Sequence, residues 1–286
     1  MKIIECPRDA MQGLQEFIPT ELKAEYINQL LKVGFDTIDF GSFVSPKAIP
    51  QLRDTAAVLS QLDLSSTTSK LLAIVANHRG AQDAAEFEEI SYLGFPFSIS
   101  ETFQLRNTNS TIEQSLTTVA QIQDLCIRNR KQLVVYISMA FGNPYGDEWN
   151  EEIALHWIEK IRQLGVKTIA LADTVGLANS DDVHRILNHL ISSINNVEFG
   201  AHLHCTAENW EEKVNAAYQA GCRRFDTAIK GYGGCPMAND SLVGNLATEK
   251  FLNYLNNNNQ FSKIDNDAFN EALLISDRVF NHQHND

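Results

Sequence analysis

Two histidines that are separated by one residue carry the sharpest chemical signal in this chain. His202 and His204 lie in the run His-Leu-His, within a segment of β-prone residues. Side chains two positions apart on a strand point to the same side, so both imidazoles can offer a nitrogen to one metal ion. The pair alone also fits packed or hydrogen-bonded core histidines. Further ligands must therefore come from elsewhere in the chain.

Asp9 and Asn245 can supply those further ligands, provided that the fold brings the two ends of the chain together. Two imidazoles, one carboxylate and one amide oxygen form a mixed set without a thiolate. Such a set suits Mg²⁺ or Mn²⁺ whose remaining positions are filled by substrate or water, although raw affinity would favour Zn²⁺. We expect a divalent cation, Mg²⁺ or Mn²⁺, in an open catalytic site.

A recurring pattern shows which elements position these residues. An amphipathic stretch, a glycine and a short β-prone run follow one another at four places, around Gly34, Gly94, Gly165 and Gly221. The pattern predicts that each glycine ends a helix in the left-handed conformation and that a buried parallel strand comes next. Four such joints indicate an architecture of alternating strands and helices.

Strands are predicted near residues 2–6, 36–41, 70–75, 95–100, 132–138, 167–172, 197–203 and 224–229. Roughly eight strand-helix units in a chain of 286 residues favour a (β/α)₈ TIM barrel, and a doubly wound open sheet is the alternative. Thr20 is predicted as the N-cap of the first long helix.

We expect a single domain over residues 1–286, with the barrel over about 1–256 and a C-terminal helical extension over about 257–286. The run Asn256, Asn257, Asn258 and Asn259 is predicted as a loop before a last helix near 266–280.

The active face of a TIM barrel is built from the carboxyl ends of its strands. Polar residues predicted at these ends therefore become candidates for function. Besides the two histidines they are Arg8, Asp9, Asp39, Ser42, Glu101, Asp173 and Cys235, which follows the glycine-rich run 231–234. Glu101 is interpreted as a rim charge.

The composition excludes several classes of partner. A formal net charge of −13, without a long run of basic residues, argues against nucleic acid. No stretch of about 18 apolar residues predicts a membrane span, and the N-terminus lacks the layout of a signal peptide. Five cysteines without a CxxC spacing are interpreted as reduced thiols. We expect a soluble cytoplasmic protein that acts on a small molecule.

The motifs resemble those of a known family. ECPRDAMQ resembles the first-strand motif of the DRE-type TIM-barrel metallolyases. SFVSPKAIPQLRD, ALADTVGL, HLH and GYGGCPMANDSLVGNLATE resemble successive signatures of one branch, the 3-hydroxy-3-methylglutaryl-CoA lyases. The resemblance extends from about residue 4 to residue 252. SFVSPK and GGCP followed by GNLATE are specific to that branch.

The resemblance implies that Asp9, His202, His204 and Asn245 bind the divalent cation, with His202 also counted among the catalytic residues. It implies that Arg8 binds substrate and stabilises the enolate oxygen that develops when the carbon–carbon bond breaks. A permanently charged guanidinium suits that task.

The same resemblance implies roles for five further residues. Cys235 would transfer a proton, Asp39 would join the catalytic set, and Ser42 would bind substrate. Glu249 would fix the loop or the substrate, and Asp173 would orient a ligand or the substrate. Alternatives remain open, since Cys235 also fits a small buried hydrophobe and Asp173 fits a helix cap. Arg8 with Asp9 also fits a structural ion pair.

Three features depart from the usual family pattern. Asp39 stands where the family has glutamate, and Cys205 stands where it has aspartate after the second histidine. The segment between Cys235 and Asn245 is one residue longer than usual. The chemistry is therefore better specified than the substrate.

The activity implied by the resemblance is a retro-Claisen cleavage of 3-hydroxy-3-methylglutaryl-CoA, or a close acyl-CoA, to acetoacetate and acetyl-CoA. One alternative is another metal-dependent aldolase or Claisen-type synthase that acts on 2-oxo acids. Such synthases usually extend well beyond the barrel, whereas this chain is expected to end soon after it. A second alternative is a non-catalytic paralogue that acts as a binding module. The sequence does not determine the oligomeric state, and a homodimer is one of the alternatives.

Overall fold

A computed structural model describes residues 1–234, 243–260 and 263–280. Its centre is a ring of eight parallel strands in which each strand pairs with the next, while β1 pairs with β8 and closes the ring. The strands are β1 Lys2–Glu5, β2 Thr37–Ser42, β3 Lys70–Ile74, β4 Ile90–Ser98, β5 Gln132–Ser138, β6 Thr168–Asp173, β7 Glu198–Cys205 and β8 Arg224–Thr227. The TIM barrel is confirmed, and the open sheet is wrong.

A ninth strand, β9 Gly244–Asn245, pairs antiparallel with the end of β7 and sets Asn245 opposite His204. The helices are α1 Pro7–Gln12, α2 Thr20–Val33, α3 Thr55–Leu59, α4 His78–Ala85, α5 Glu101–Thr108, α6 Ile112–Arg128, α7 Glu151–Gln163, α8 Ser180–Ser193, α9 Trp210–Gln219, α10 Thr248–Asn257 and α11 Asn266–Phe280. Among these residues, no helix is long and apolar enough to cross a membrane.

Most of the hydrophobic core lies between the strands and the surrounding helices. In α2, Tyr26, Ile27 and Leu30 are buried, because apolar residues recur along one face of the helix. A second, smaller cluster of Leu72, Ile74, Val134, Tyr136 and Ala170 comes from alternate strand positions and fills the inside of the barrel. The barrel is therefore packed rather than hollow.

The glycine pattern predicted three helix ends and failed at the fourth. Gly34, Gly165 and Gly221 have φ values of 88°, 87° and 97°, which is the left-handed conformation expected after a helix. Gly94 instead lies inside β4, so the predicted start of that strand at residue 95 is wrong. A β-carbon at Gly94 would lie 2.5 Å from Ile74 Cδ1. This glycine is required by close packing inside the barrel.

Two local predictions at helix ends are also corrected. Thr20 is the first residue of α2 rather than its N-cap, and its hydroxyl donates a hydrogen bond to Asp54 over 2.8 Å. Asn256 and Asn257 belong to α10, so only the last two residues of the asparagine run lie outside a helix. The last helix, α11, is confirmed and packs against α2, where Arg278 pairs with Glu25.

Candidate active site

The two histidines of β7 lie on the same side of the strand, as their spacing predicts. Their ring centroids are 5.2 Å apart. Asp9 joins them because β7, β8 and β1 are neighbours in the ring and α1 begins directly after β1, with Pro7 at its first position. One ligand atom from each of Asp9, His202 and His204 lies within 4.8 Å of the other two. Three candidate ligands therefore converge at the carboxyl end of the barrel.

The hydrogen bonding of His204 fits a metal ligand. Its Nδ1 lies 2.8 Å from the carbonyl oxygen of Thr174, so Nδ1 carries the proton and Nε2 carries a lone pair. Nε2 is buried and has no hydrogen-bond partner among the described residues. Burial, followed by the neighbouring His202, lowers the pKa of His204 to about 4, which keeps the imidazole neutral. A cation would satisfy this buried atom, whose isolation is otherwise unfavourable.

His202 has a different outer partner, because its Nδ1 lies 3.2 Å from Asp226 Oδ2. Burial lowers the pKa of His202, but the hydrogen bond to Asp226 and the charges of Asp226 and Asp9 together leave the pKa above the ordinary value. The other oxygen of Asp226 accepts a hydrogen bond from Arg224 over 2.8 Å. This arrangement leaves Nε2 of His202 as the nitrogen available to a cation.

Asp9 is an ionised carboxylate enclosed by donors. Burial opposes ionisation, but Arg8 and the two histidines hold the pKa of Asp9 below its usual value. Asn245 donates its amide hydrogens to Asp9 Oδ2, over 2.7 Å, and to the carbonyl oxygen of Tyr232, over 2.9 Å. The amide oxygen Oδ1 is therefore the atom of Asn245 that a cation would bind.

Arg8 is held between the cation ligands and β2. Its Nη1 donates to Asp9 and to Gln12, over 2.9 Å in each case. Its Nε and Nη2 donate to the carboxylate of Asp39, with 2.5 Å between Nη2 and Oδ2. Burial raises the pKa of Asp39 to about 6 although the adjacent Arg8 acts against the shift. The guanidinium is thereby fixed beside the candidate metal site.

Of the other predicted residues, Ser42 and Asp173 lie at strand ends and Glu249 lies in a helix. Ser42 ends β2, and its buried hydroxyl has no partner among the described residues. Asp173 ends β6, where Lys213 Nζ lies 2.7 Å from its carboxylate and Ala178 donates its backbone N–H. Glu249, in α10, accepts the backbone N–H of Lys230 over 3.0 Å. Asp173 and Glu249 therefore hold loops at the barrel mouth.

Cys235 and most of the segment between it and Asn245 lie outside the described residues. The glycine-rich run 231–234 that precedes it is described, and it passes beside α1. A β-carbon at Gly233, whose φ is 89°, would lie 2.8 Å from the Cα of Ala10 and from the carbonyl oxygen of Asp9. A glycine is required here because the loop backbone passes against the helix that carries Arg8 and Asp9.

Sequence reasoning missed the outer partners of the site. Arg224 and Asp226 occupy alternate positions on β8 and are 4% and 3% exposed. Two charged residues on the inward side of a predicted strand are the pattern that could have indicated them in the sequence. Gln12, which donates to Asp9 over 2.8 Å, follows Arg8 by four positions on α1, the spacing of helical neighbours. No pattern in the sequence predicted that the carbonyl oxygen of Thr174 contacts His204.

The active face of the closed (β/α)₈ barrel gathers two histidines, a carboxylate and a fixed arginine. This combination defines a metallolyase-type site. The chain belongs to the HMGL-like family, whose model matches residues 2–273. Enzymes of this family are metal-dependent, and the relatives of this chain that are named hydroxymethylglutaryl-CoA lyases are carbon–carbon lyases.

The chain is 33% identical to the hydroxymethylglutaryl-CoA lyase YngG of Bacillus subtilis over 86% of its length and 81% of that protein. A 3-hydroxy-3-isohexenylglutaryl-CoA/hydroxy-methylglutaryl-CoA lyase of Pseudomonas aeruginosa is 29% identical over 90% of this chain and 85% of that protein. An HMG-CoA lyase structure from Acinetobacter baumannii, in complex with coenzyme A and 3-methylmalate, has a TM-score of 0.91 and 34% identity over 99% of this chain and 92% of that one.

Proposed function

We propose that this protein cleaves 3-hydroxy-3-methylglutaryl-CoA, or a close 3-hydroxyacyl-CoA, to acetoacetate and acetyl-CoA. The observation that carries the proposal is the convergence of Arg8 with Asp9, His202 and His204 at the active face of an HMGL-like barrel. Residues 1–286 would form one lyase domain, with α11 as its helical extension.

Asp9, His202, His204 and Asn245 would hold a divalent cation, for which their nitrogen and oxygen donors favour Mg²⁺ or Mn²⁺. When bound, such a cation lowers the pKa of a hydroxyl group that contacts it. The buried, unpartnered Nε2 of His204 supports this assignment.

The reaction begins when the tertiary hydroxyl of the substrate gives its proton to a base. The carbon–oxygen bond then becomes the double bond of a ketone. At the same time the bond breaks between this carbon and the methylene carbon beside the thioester. The electron pair of that bond forms the enolate of acetyl-CoA. Arg8 stabilises the enolate oxygen, and a proton added to carbon completes acetyl-CoA. Asp39 keeps the guanidinium in place during this step.

Cys235 is proposed to transfer a proton, on the basis of the loop motif that resembles the family's. Ser42 would donate to the substrate, since its buried hydroxyl has no other partner among the described residues. Asp173 and Glu249 would act through the loops that they hold. Each of these roles is tested by a substitution of the residue concerned.

A coupled assay on a small panel tests the proposal. The purified protein, supplied with Mg²⁺, Mn²⁺ or Zn²⁺, is offered 3-hydroxyacyl-CoA thioesters and 4-hydroxy-2-oxo acids. We expect acetyl-CoA to form from a 3-hydroxy-3-methyl thioester and turnover to be higher with Mg²⁺ or Mn²⁺. Turnover of the 2-oxo acids alone would support the aldolase alternative, and no turnover of any compound would support the binding module. A homodimer and a cytoplasmic location stay predictions.

A further inference from the structure

A buried carboxylate and a buried guanidinium lie inside the barrel directly behind His202. Asp226 and Arg224 stand two positions apart on β8, so both side chains point to the same side of the strand. The strand register sets Asp226 opposite His202 on β7. A buried charged side chain is stable only when an opposite charge or hydrogen bonds compensate for its removal from water. The contacts of Asp226 and Arg224 therefore indicate their role.

The carboxylate of Asp226 bridges the histidine and the arginine. Its Oδ2 lies 3.2 Å from His202 Nδ1, and its Oδ1 lies 2.8 Å from Arg224 Nη1. The bridge keeps the proton of the imidazole on Nδ1 and fixes the orientation of the ring. Nε2 is thereby left as the donor atom for a cation.

Gly200 makes room for this arrangement. A β-carbon on Gly200 would lie 2.9 Å from Arg224 Nη1 and 3.1 Å from its Cδ. The stem of Arg224 therefore crosses β7 at the point where that strand has no side chain.

The two histidines differ in the group behind them. His204 donates to the neutral carbonyl of Thr174, whereas His202 donates to a carboxylate. A carboxylate partner makes an imidazole a stronger donor to a cation than a carbonyl does. The two positions are thus expected to contribute unequally to binding.

We propose that Asp226, held in place by Arg224, is a positioning residue that orients His202 and sets the affinity of the site for its divalent cation. The inference rests on the proposed role of His202 as a ligand and extends it to two residues that have no assigned part.

The test measures the affinity of metal-free protein for Mn²⁺ alone, by calorimetric titration. Asp226→Asn should weaken binding by about 10- to 100-fold, the usual effect of losing such an outer partner. Asp54→Asn is the matched control, since it breaks another ion pair, that of the buried Lys23 with the half-buried Asp54, away from the proposed ligands. Its Mn²⁺ affinity should equal that of the wild type.

Asp226→Asn leaves Arg224 without its charged partner and can prevent folding. The double variant Arg224→Met with Asp226→Asn removes both charges together and should fold while binding Mn²⁺ as weakly as the single variant. A folded variant of either kind with wild-type affinity would overturn the proposal. If neither folds, the ¹⁵N spectrum of the histidine rings in metal-free wild type decides, because a neutral His202 ring that carries its proton on Nε2 and none on Nδ1 contradicts the bridge.

Failure of the proposed function has a different signature. A wild-type protein that binds Mn²⁺ and loses affinity in the Asp226 variants, yet cleaves no thioester, retains the positioning role and loses the lyase assignment. If His202→Ala binds Mn²⁺ as tightly as wild type, the positioning role fails whatever the enzyme does.

Discussion

Arg8 and Asp39 form a buried ion pair in which Nε and Nη2 of the arginine both contact Oδ2 of the carboxylate, at 3.1 Å and 2.5 Å. The pair joins α1 to the end of β2 and fixes the plane of the guanidinium. Asp39 reaches Arg8 with a side chain one methylene shorter than the glutamate usual at this position. Aspartate in place of glutamate therefore still holds the guanidinium of Arg8 in a fixed orientation.

Arg8→Ala should reduce turnover by about a hundredfold to a thousandfold, the effect of losing one donor to a developing oxyanion. Metal affinity should stay nearly intact, because Arg8 contacts the proposed ligand Asp9 without being a ligand itself, and Gln12 still donates to Asp9 in the variant. Arg8→Lys should rescue poorly, since an ammonium group lacks the planar fork that Asp39 holds. Steady-state kinetics and Mn²⁺ titration of each variant provide the measurement.

Arg53→Ala is the control for this experiment. Arg53 is exposed and lies over the ring of Phe17, so its loss should leave turnover unchanged. An Arg8→Ala variant as active as wild type would show that another group stabilises the enolate.

The proposed metal ligands predict a second outcome. Mn²⁺ should raise the unfolding temperature of the wild type, because a ligand that binds only the folded state stabilises it. His204→Ala should abolish most of this rise, whereas His156→Ala, which removes an exposed imidazole on α7, should preserve it. A structure with metal supplied should show all four ligands within about 2.0 to 2.6 Å of one ion. An equal rise in both variants would rule His204 out as a ligand.

Thiol accessibility provides a third prediction. Cys6, Cys126, Cys205 and Cys222 are buried, and burial raises the pKa of each thiol. A maleimide should therefore label Cys235 first in folded protein. Cys235→Ser should lower kcat far more than it changes KM. Uniform labelling of the five cysteines, measured by peptide mass spectrometry, or an unchanged kcat would remove Cys235 from the mechanism.

Glu5 predicts a specific dependence of stability on pH. Its carboxyl group is fully buried and accepts hydrogen bonds from Ile229 N, over 2.8 Å, and from the hydroxyl of Thr248, over 2.6 Å. Burial raises the pKa of Glu5 from 4.5 to about 8 against the effect of these hydrogen bonds. Between these two values the folded state holds a proton that the unfolded state has released.

The contribution of Glu5 to stability is therefore complete below pH 4.5 and is lost as the pH rises toward about 8. The difference in unfolding free energy between wild type and Glu5→Gln should fall by up to about 1.4 kcal/mol per pH unit in this range and level off above it. Urea unfolding of both proteins at several pH values measures the difference. A difference that stays constant or grows with pH contradicts the assignment.

The sequence by itself determined the alternation of strands and helices and the side to which His202 and His204 point. Both follow from local periodicity, because a strand repeats every two residues and a helix every 3.6. The resemblance of the motifs also identified the family, which the match over residues 2–273 confirmed. Gly94 shows the limit of local patterns, since a glycine that ends a helix and one that is packed inside a barrel have similar neighbours in the sequence.

Only the tertiary structure decided which groups stand behind the candidate ligands. Asp226 meets His202 because β7 and β8 pair, and the carbonyl of Thr174 meets His204 because a loop after β6 passes beside β7. Arg8, in α1, is fixed by Asp39, which is 31 residues away on β2. These contacts depend on strand register and barrel closure, so no local spacing encodes them.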